Sequence, residues 1–235
     1  MGSQRALLLI ADIGGYTDYM RAHRMSLAHA EVNTARLLEA VIDAAEGFEL
    51  IEIEGDAAFL SRQANGDATV RAMTDAVVAM HRAFHHERRY VAANLCPCDG
   101  CTQTENLKLK FVAHVGEVAT QTIRDRTKLV GLDVILVHRL LKNSVPAPEY
   151  VLCSEELYRA GGASLSERMQ EAAQELEGIG AVRTYFADMA DVAGPLPPAP
   201  QPRVLGRLGR TLSVAGRGMP YMVGLRRRRR EATPH

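Results

Sequence analysis

Short apolar runs alternate with long stretches of helical spacing along this chain. Ala6-Leu7-Leu8-Leu9-Ile10-Ala11 is a continuous apolar run of strand length that stops at Asp12. From Thr17 to Ala45 apolar residues recur every three or four positions, most clearly in Ala35-Arg36-Leu37-Leu38-Glu39-Ala40-Val41-Ile42, which predicts a long helix. Residues 48–61 read as a hairpin whose second strand is Ala57-Ala58-Phe59-Leu60. A second helix is expected over about 67–92, with Val70, Met73, Val77, Val78 and Met80 on one side. A strand at 107–114, a hairpin, a helix at 131–143, the apolar strand Tyr150-Val151-Leu152-Cys153, a helix at 154–160 and a last strand at 182–187 follow. Separated strands with covering helices predict an α+β domain.

Two aspartates end apolar strands beside glycine. Asp12 precedes Ile13-Gly14-Gly15-Tyr16-Thr17, and Asp56 follows Glu52-Ile53-Glu54-Gly55. Glycine lets backbone approach a ligand closely. Two neighbouring carboxylates repel unless a cation sits between them. Hard oxygen ligands of this kind suit magnesium or manganese completed by water and phosphate. The plainer reading is that each Asp caps a turn.

Five segments, in order, resemble the catalytic domain of class III adenylate/guanylate (nucleotidyl) cyclases. They are Ala11-Asp12-Ile13-Gly14-Gly15-Tyr16-Thr17, Glu52-Ile53-Glu54-Gly55-Asp56-Ala57, the stretch from Lys110 through His114 and Gly116 to Val118, Gly131 to Leu140, and Gly178 to Phe186. Together they span roughly residues 5–190, and the cysteine-rich insertion described below is similar to that of a divergent bacterial branch. The resemblance implies a ferredoxin-like, palm-type cyclase homology domain: a central, mostly antiparallel sheet with covering helices. It implies two Mg2+ or Mn2+ ions held by Asp12, Asp56 and the carbonyl of Ile13, with Gly14, Gly15, Tyr16 and Thr17 cradling phosphate. Glu52 falls where guanylyl cyclases carry Glu and adenylyl cyclases Lys, a lean to GTP over ATP. Lys128 falls at the second base-selecting position, where it would donate to a base carbonyl; a solvated loop lysine is the alternative. Arg139 would neutralise the α-phosphate in the transition state. In this family the site forms across a homodimer, one chain giving Asp12 and Asp56, its partner Glu52 and Arg139.

Two positions depart from the pattern. The catalytic Asn four residues before the Arg is Ile135, and the lysine that grips the terminal phosphates aligns near Glu177 or Ile179. Asp133 and His138 flank the helix start and offer replacement ribose contacts. The reading is therefore an enzyme, a nucleotidyl cyclase (a phosphorus–oxygen lyase) making a 3',5'-cyclic nucleotide in signalling. Its alternative is a degenerate cyclase-like domain that senses nucleotide without turning it over.

Cysteine and charge add two features. Three of the four cysteines lie in Cys96-Pro97-Cys98-Asp99-Gly100-Cys101, and such clustering in a cytosolic chain favours metal over disulfide. A structural Zn2+ on Cys96, Cys98 and Cys101 needs a fourth ligand, for which His85 is the candidate, with His86 or His81 as others; redox-labile thiols are the rival reading. Formal net charge is zero, but residues 194–235 hold nine arginines against Glu231, so the remainder is acidic by eight charges. The domains expected are 1–193, cyclase-like with the insertion at about 94–104; 194–202, a Pro-rich linker; and 203–235, an Arg-rich flexible tail. The tail would be drawn to anionic membrane or nucleic acid by charge, or be simply solvated. With no long apolar span and no cleavable signal in the sequence, a cytoplasmic location is expected.

Overall fold

A computed structural model describes residues 3–22, 27–66, 68–94, 103–161, 169–196 and 198. The elements are β1 (Gln4–Gly14), α1 (Tyr16–Ala22), α2 (Leu27–Asp43), β2 (Glu49–Glu54), β3 (Ala57–Gln63), α3 (Ala68–Asn94), β4 (Lys108–Ile123), β5 (Arg126–Val130), α4 (Leu132–Arg139), β6 (Tyr150–Ser154), α5 (Glu155–Gly161), β7 (Gln170–Leu176), β8 (Gly180–Asp188) and α6 (Met189–Ala193). The strands form one sheet in the order β2-β3-β1-β4-β6-β8-β7, with β5 paired to the far end of β4. Of these pairings only β4–β6 is parallel. The fold is the expected α+β class with a central, mostly antiparallel sheet.

The apolar run of β1 is buried on both faces because helices or a second layer cover each side. Alternate residues divide between two cores. Leu7, Leu9, Ala11 and Ile13 join Phe111, Ala113 and Cys153 under α2, α3, α5 and α6. Ala6, Leu8 and Ile10 join Phe59, Val112 and Leu152 under Val137 of α4 and Leu140 at its end. By the same alternation Asp12 lies on the α4 side. Cys153, free and fully buried, has its thiol pushed up to about 12 by burial.

Several boundaries differ from the sequence reading. The single helix expected over 17–45 is two, Tyr16–Ala22 and Leu27–Asp43. The strand expected at 107–114 runs sixteen residues, Lys108–Ile123. The helix expected to reach 143 stops at Arg139, where Leu141 N donates to the His138 carbonyl and the Asn143 side chain takes the Leu140 carbonyl. Strand β7, an edge strand rich in Gln and Glu, was not expected at all: its outward positions are polar and only Gln174 and Leu176 are buried.

Gly116 holds α4 to the sheet. A Cβ at Gly116 would lie 2.2 Å from Asp133 Cγ and 2.6 Å from its Cβ. Asp133 fills that space with both oxygens engaged: Oδ1 lies 3.0 Å from His114 Nε2, and Oδ2 accepts from Glu117 N at 2.6 Å. Gly116→Ala should therefore push α4 outward and cost about 1–3 kcal/mol, read as a lower denaturant midpoint with an unchanged slope.

Candidate active site

The antiparallel pairing of β1 with β3 sets Asp12 opposite Ala57, so the end of β1 lies beside the Gly55-Asp56 turn. Ile13 N donates to the Asp56 carbonyl at 3.2 Å, locking that turn in place. Gly55, at φ 65°, makes the turn with a backbone shape that other residues adopt at a cost. Both aspartates are half-buried. Burial, and then the nearby charge of Asp12, raises the Asp56 carboxyl to about 6. The two carboxylates thus share a site, where the charge of Asp12 opposes ionisation of Asp56.

A cation already attends them. β4 places Lys110 directly across from Asp12, and its Nζ lies 2.9 Å from Asp12 Oδ2. Burial pushes the ammonium pKa down, but the hydrogen bond and charge of Asp12 more than reverse this and hold it above its ordinary value. The lysine stem crosses Gly14, where a Cβ would meet Lys110 Cε at 3.2 Å. Any larger residue there would crowd the ion pair. Lys110 lies within a quoted family segment, yet the sequence alone did not single it out; its register with Asp12 is what reveals it.

The other expected residues fall in two groups. Ile13, Gly14, Gly15, Tyr16 and Thr17 run from the end of β1 into α1, and Gly15 takes φ 84° to turn the chain. A cavity of about 520 Å³ opens beside them, lined by Ile13, Tyr16, Met20, Ile53 and Asp56 among others. Glu52 lies exposed on β2, Lys128 exposed on β5 and Arg139 at the end of α4. β2 and β5 approach each other. Arg139 borders a second cavity of about 490 Å³ with Ile135, His138, Lys142 and Glu177, and its Nη1 pairs with Glu177 Oε2 at 2.8 Å. Ile135, standing where the cyclase pattern has Asn, is 49 % exposed on that rim.

Asp133 and His138, the residues offered as replacement ribose contacts, are both occupied within the subunit. Asp133 holds His114 and the Glu117 amide as described. His138 Nδ1 lies 3.4 Å from Glu54 Oε2, with its ring edge-on to Phe59. His114 Nδ1 also meets Ser154 Oγ at 2.7 Å, giving a Ser–His–Asp line. Ser154 is buried and its Oγ accepts from Leu157 N at the head of α5, so the line joins β4, β6 and α4 and offers no exposed nucleophile.

His85 does not stand free as a ligand for the cysteines. Its Nε2 faces His81 Nε2 at 3.1 Å and Glu149 Oε1 at 2.9 Å. Glu149, which the sequence reading passed over, also accepts from Leu109 N. Cys96, Cys98, Cys101 and the Arg-rich tail lie outside the described residues. Among the described residues no helix is long and apolar enough to cross a membrane.

Comparison with known proteins bears on this geometry. The chain is 37% identical over 195 residues to the uncharacterized protein Rv2561/Rv2562 of Mycobacterium tuberculosis (strain ATCC 25618 / H37Rv), covering 82% of this chain and 90% of that one. It belongs to the same family as that protein. Residues 34–150 match the family described as "Protein of unknown function (DUF2652)". Solved structures share the fold at low identity. The guanylate cyclase domain of RhGC from Catenaria anguillulae, in complex with GTP, aligns at TM-score 0.57 and 15% identity over 80% of this chain and 98% of that one. The adenylyl cyclase CyaB from P. aeruginosa aligns at 0.54 and 15%, over 80% and 96%. The guanylyl cyclase Cya2 aligns at 0.57 and 17%, over 79% and 92%. The fold is thus that of class III cyclase catalytic domains.

The raised carboxyl of Asp56 has a measurable sign. Its folded pKa stands above the ordinary 3.8, so the metal-free chain loses stability as pH rises from there to about 6. Asp56→Asn removes that loss. In chelator its melting temperature should exceed that of wild type at pH 8 and by less at pH 4, a gain of about 1 kcal/mol after screening by solvent.

Proposed function

We propose that the chain is a metal-dependent nucleotidyl cyclase that converts a nucleoside triphosphate, GTP in preference to ATP, to the 3',5'-cyclic nucleotide and pyrophosphate. The observation that carries this reading is the delivery of Asp12 and Asp56 to one place, where the charge of Asp12 opposes ionisation of Asp56, with Lys110 held there as a built-in cation. Such a pair fits divalent metal: Asp12, Asp56 and the Ile13 carbonyl would hold it. Bound there, Mg2+ or Mn2+ would supply activation of the ribose 3'-hydroxyl and neutralisation of triphosphate charge.

The remaining roles belong to the chain. Lys110 orients Asp12 and relieves its charge. The turn from Gly14 to Thr17 receives phosphate oxygens on backbone N–H groups. The 3'-oxygen attacks the α-phosphorus, the bond to the bridging oxygen breaks, pyrophosphate leaves, and the hydroxyl proton passes to water. Arg139 ends its own subunit's α4 beside Glu177 and not at the Asp12–Lys110 pair, and in the homodimer each site takes Arg139, Glu52 and Lys128 from the partner. Exposed Leu132, Ile135 and Ile179 around Arg139 give that face the apolar character of a homodimer contact.

The second reading, a nucleotide sensor without turnover, has its own observation. Glu177 occupies the region of the missing phosphate lysine and already neutralises Arg139. Full-length chain incubated with Mn2+ and each of GTP, ATP, UTP and CTP, with products identified by mass, separates the two. A cyclic product from GTP is expected. Arg139→Ala should lower its rate by about 10²–10³ while leaving metal binding intact, and Asp56→Ala should lose both. Nucleotide that raises the melting temperature yet yields no product from any of the four would make the chain a sensor.

A further inference from the structure

A second convergence of ionisable groups lies on the other side of the sheet from Asp12, under α3. His81 and His85 stand one turn apart on α3, and Glu149 lies one residue before β6. Both histidines are buried, 3 % and 2 % exposed. Their Nε2 atoms are 3.1 Å apart; His85 Nε2 lies 2.9 Å from Glu149 Oε1, and His81 Nε2 lies 3.6 Å from Glu149 Oε2.

Protons alone serve this arrangement poorly. Both Nδ1 atoms are buried with no hydrogen-bond partner among the described residues. If both neutral rings carry the proton on Nε2, two N–H groups crowd one carboxylate and two bare acceptors face apolar core. If one ring carries it on Nδ1, a buried donor is left without an acceptor. Each choice leaves defects of a kind that native interiors seldom keep without a reason.

A metal ion on both Nε2 atoms removes the crowding there, and each ring then carries its proton on Nδ1. Zinc holds imidazole nitrogen and carboxylate oxygen at about 2.0–2.2 Å, which puts two ligands of a tetrahedral centre about 3.3 Å apart. The three edges observed, 2.9, 3.1 and 3.6 Å, bracket that spacing. Histidines at i and i+4 of one helix face are the usual way for a helix to give two ligands to one ion. Leu109 N donates to Glu149 Oε1 at 2.9 Å, orienting the carboxylate from behind as ligand carboxylates commonly are. Two imidazoles and one carboxylate select the zinc class over Mg2+ or Ca2+. Arg88, whose Nη1 donates to the Leu107 carbonyl, brings a further positive charge nearby and weighs against a site built on charge alone.

We propose that His81, His85 and Glu149 form a binding site for a zinc-class transition-metal dication, with the fourth position left to water. The site is separate from the carboxylate pair, and its three ligands include no cysteine. The Glu149 carbonyl also accepts from Met189 N, so the ion ties α3 to β4, β6 and the head of α6 at one point. It acts as a staple of the helix-covered core.

Cobalt reports the ligand set directly. The full chain with Cys96, Cys98 and Cys101 changed to Ser is stripped with chelator, checked for native circular dichroism, and titrated with Co2+. The expected result is visible d–d absorption saturating at one equivalent, no thiolate charge-transfer band, and a raised melting temperature. His85→Gln or Glu149→Gln in that chain should abolish the absorption, and Asp12→Asn should leave it. A folded serine chain that takes up no Co2+, or absorption that survives His85→Gln, would overturn the proposal. If the serine chain does not fold, the wild-type titration is compared with that of His81→Gln. Loss of a component without charge transfer supports the site, and an unchanged spectrum refutes it. Neither outcome depends on nucleotide turnover.

Discussion

The register between β1 and β4 is the constraint on which the rest depends. Eleven consecutive residues of β1, Gln4 to Gly14, pair antiparallel with Val118 down to Lys108. Because successive side chains alternate across a sheet, a slip of one residue would exchange the two faces of a strand buried on both sides. It would also part Asp12 from Lys110 and move Ala6 away from Gly116. The same ladder thus fixes the core, the charge balance at Asp12 and the place where α4 lies down on the sheet.

The two faces of that sheet are clothed unequally. Five of the described helices cover one, and there the unusual polar group is the set of His81, His85 and Glu149. Among the described residues the other carries α4, the segment that follows it and the β4–β5 hairpin over a smaller core. On this thinner side lie Asp12 and the apolar rim around Arg139. Half-burial there is enough to raise a carboxyl, as Asp56 shows, while leaving it reachable by solute. Rigidity and access are divided between the faces.

Much of this was readable before any coordinates. The run from Ala6 to Ala11 reads as a strand, and Asp12 and Asp56 announce themselves by their glycines. What the sequence hid falls into two kinds. Edge strand β7 lacks an apolar run because only one of its faces meets protein, so its Gln- and Glu-rich sequence gives no period to detect. Partners brought together by topology are equally silent in one dimension. Lys110 is another strand lysine until the ladder sets it beside Asp12. Glu149 looks like a loop carboxylate until His81, His85 and the Leu109 amide converge on it. Asp133, offered as a ligand contact, turned out to be spent on His114 and the Glu117 amide, which local spacing cannot foretell.

Cys153 has a practical consequence. Sealed in the core with its thiol pushed up to about 12, it presents almost no thiolate at neutral pH and no path to a reagent. Alkylating labels applied to the folded chain will pass it by until the sheet opens. Its appearance among modified peptides is therefore an internal clock of global unfolding, supplied by the protein without any engineered residue.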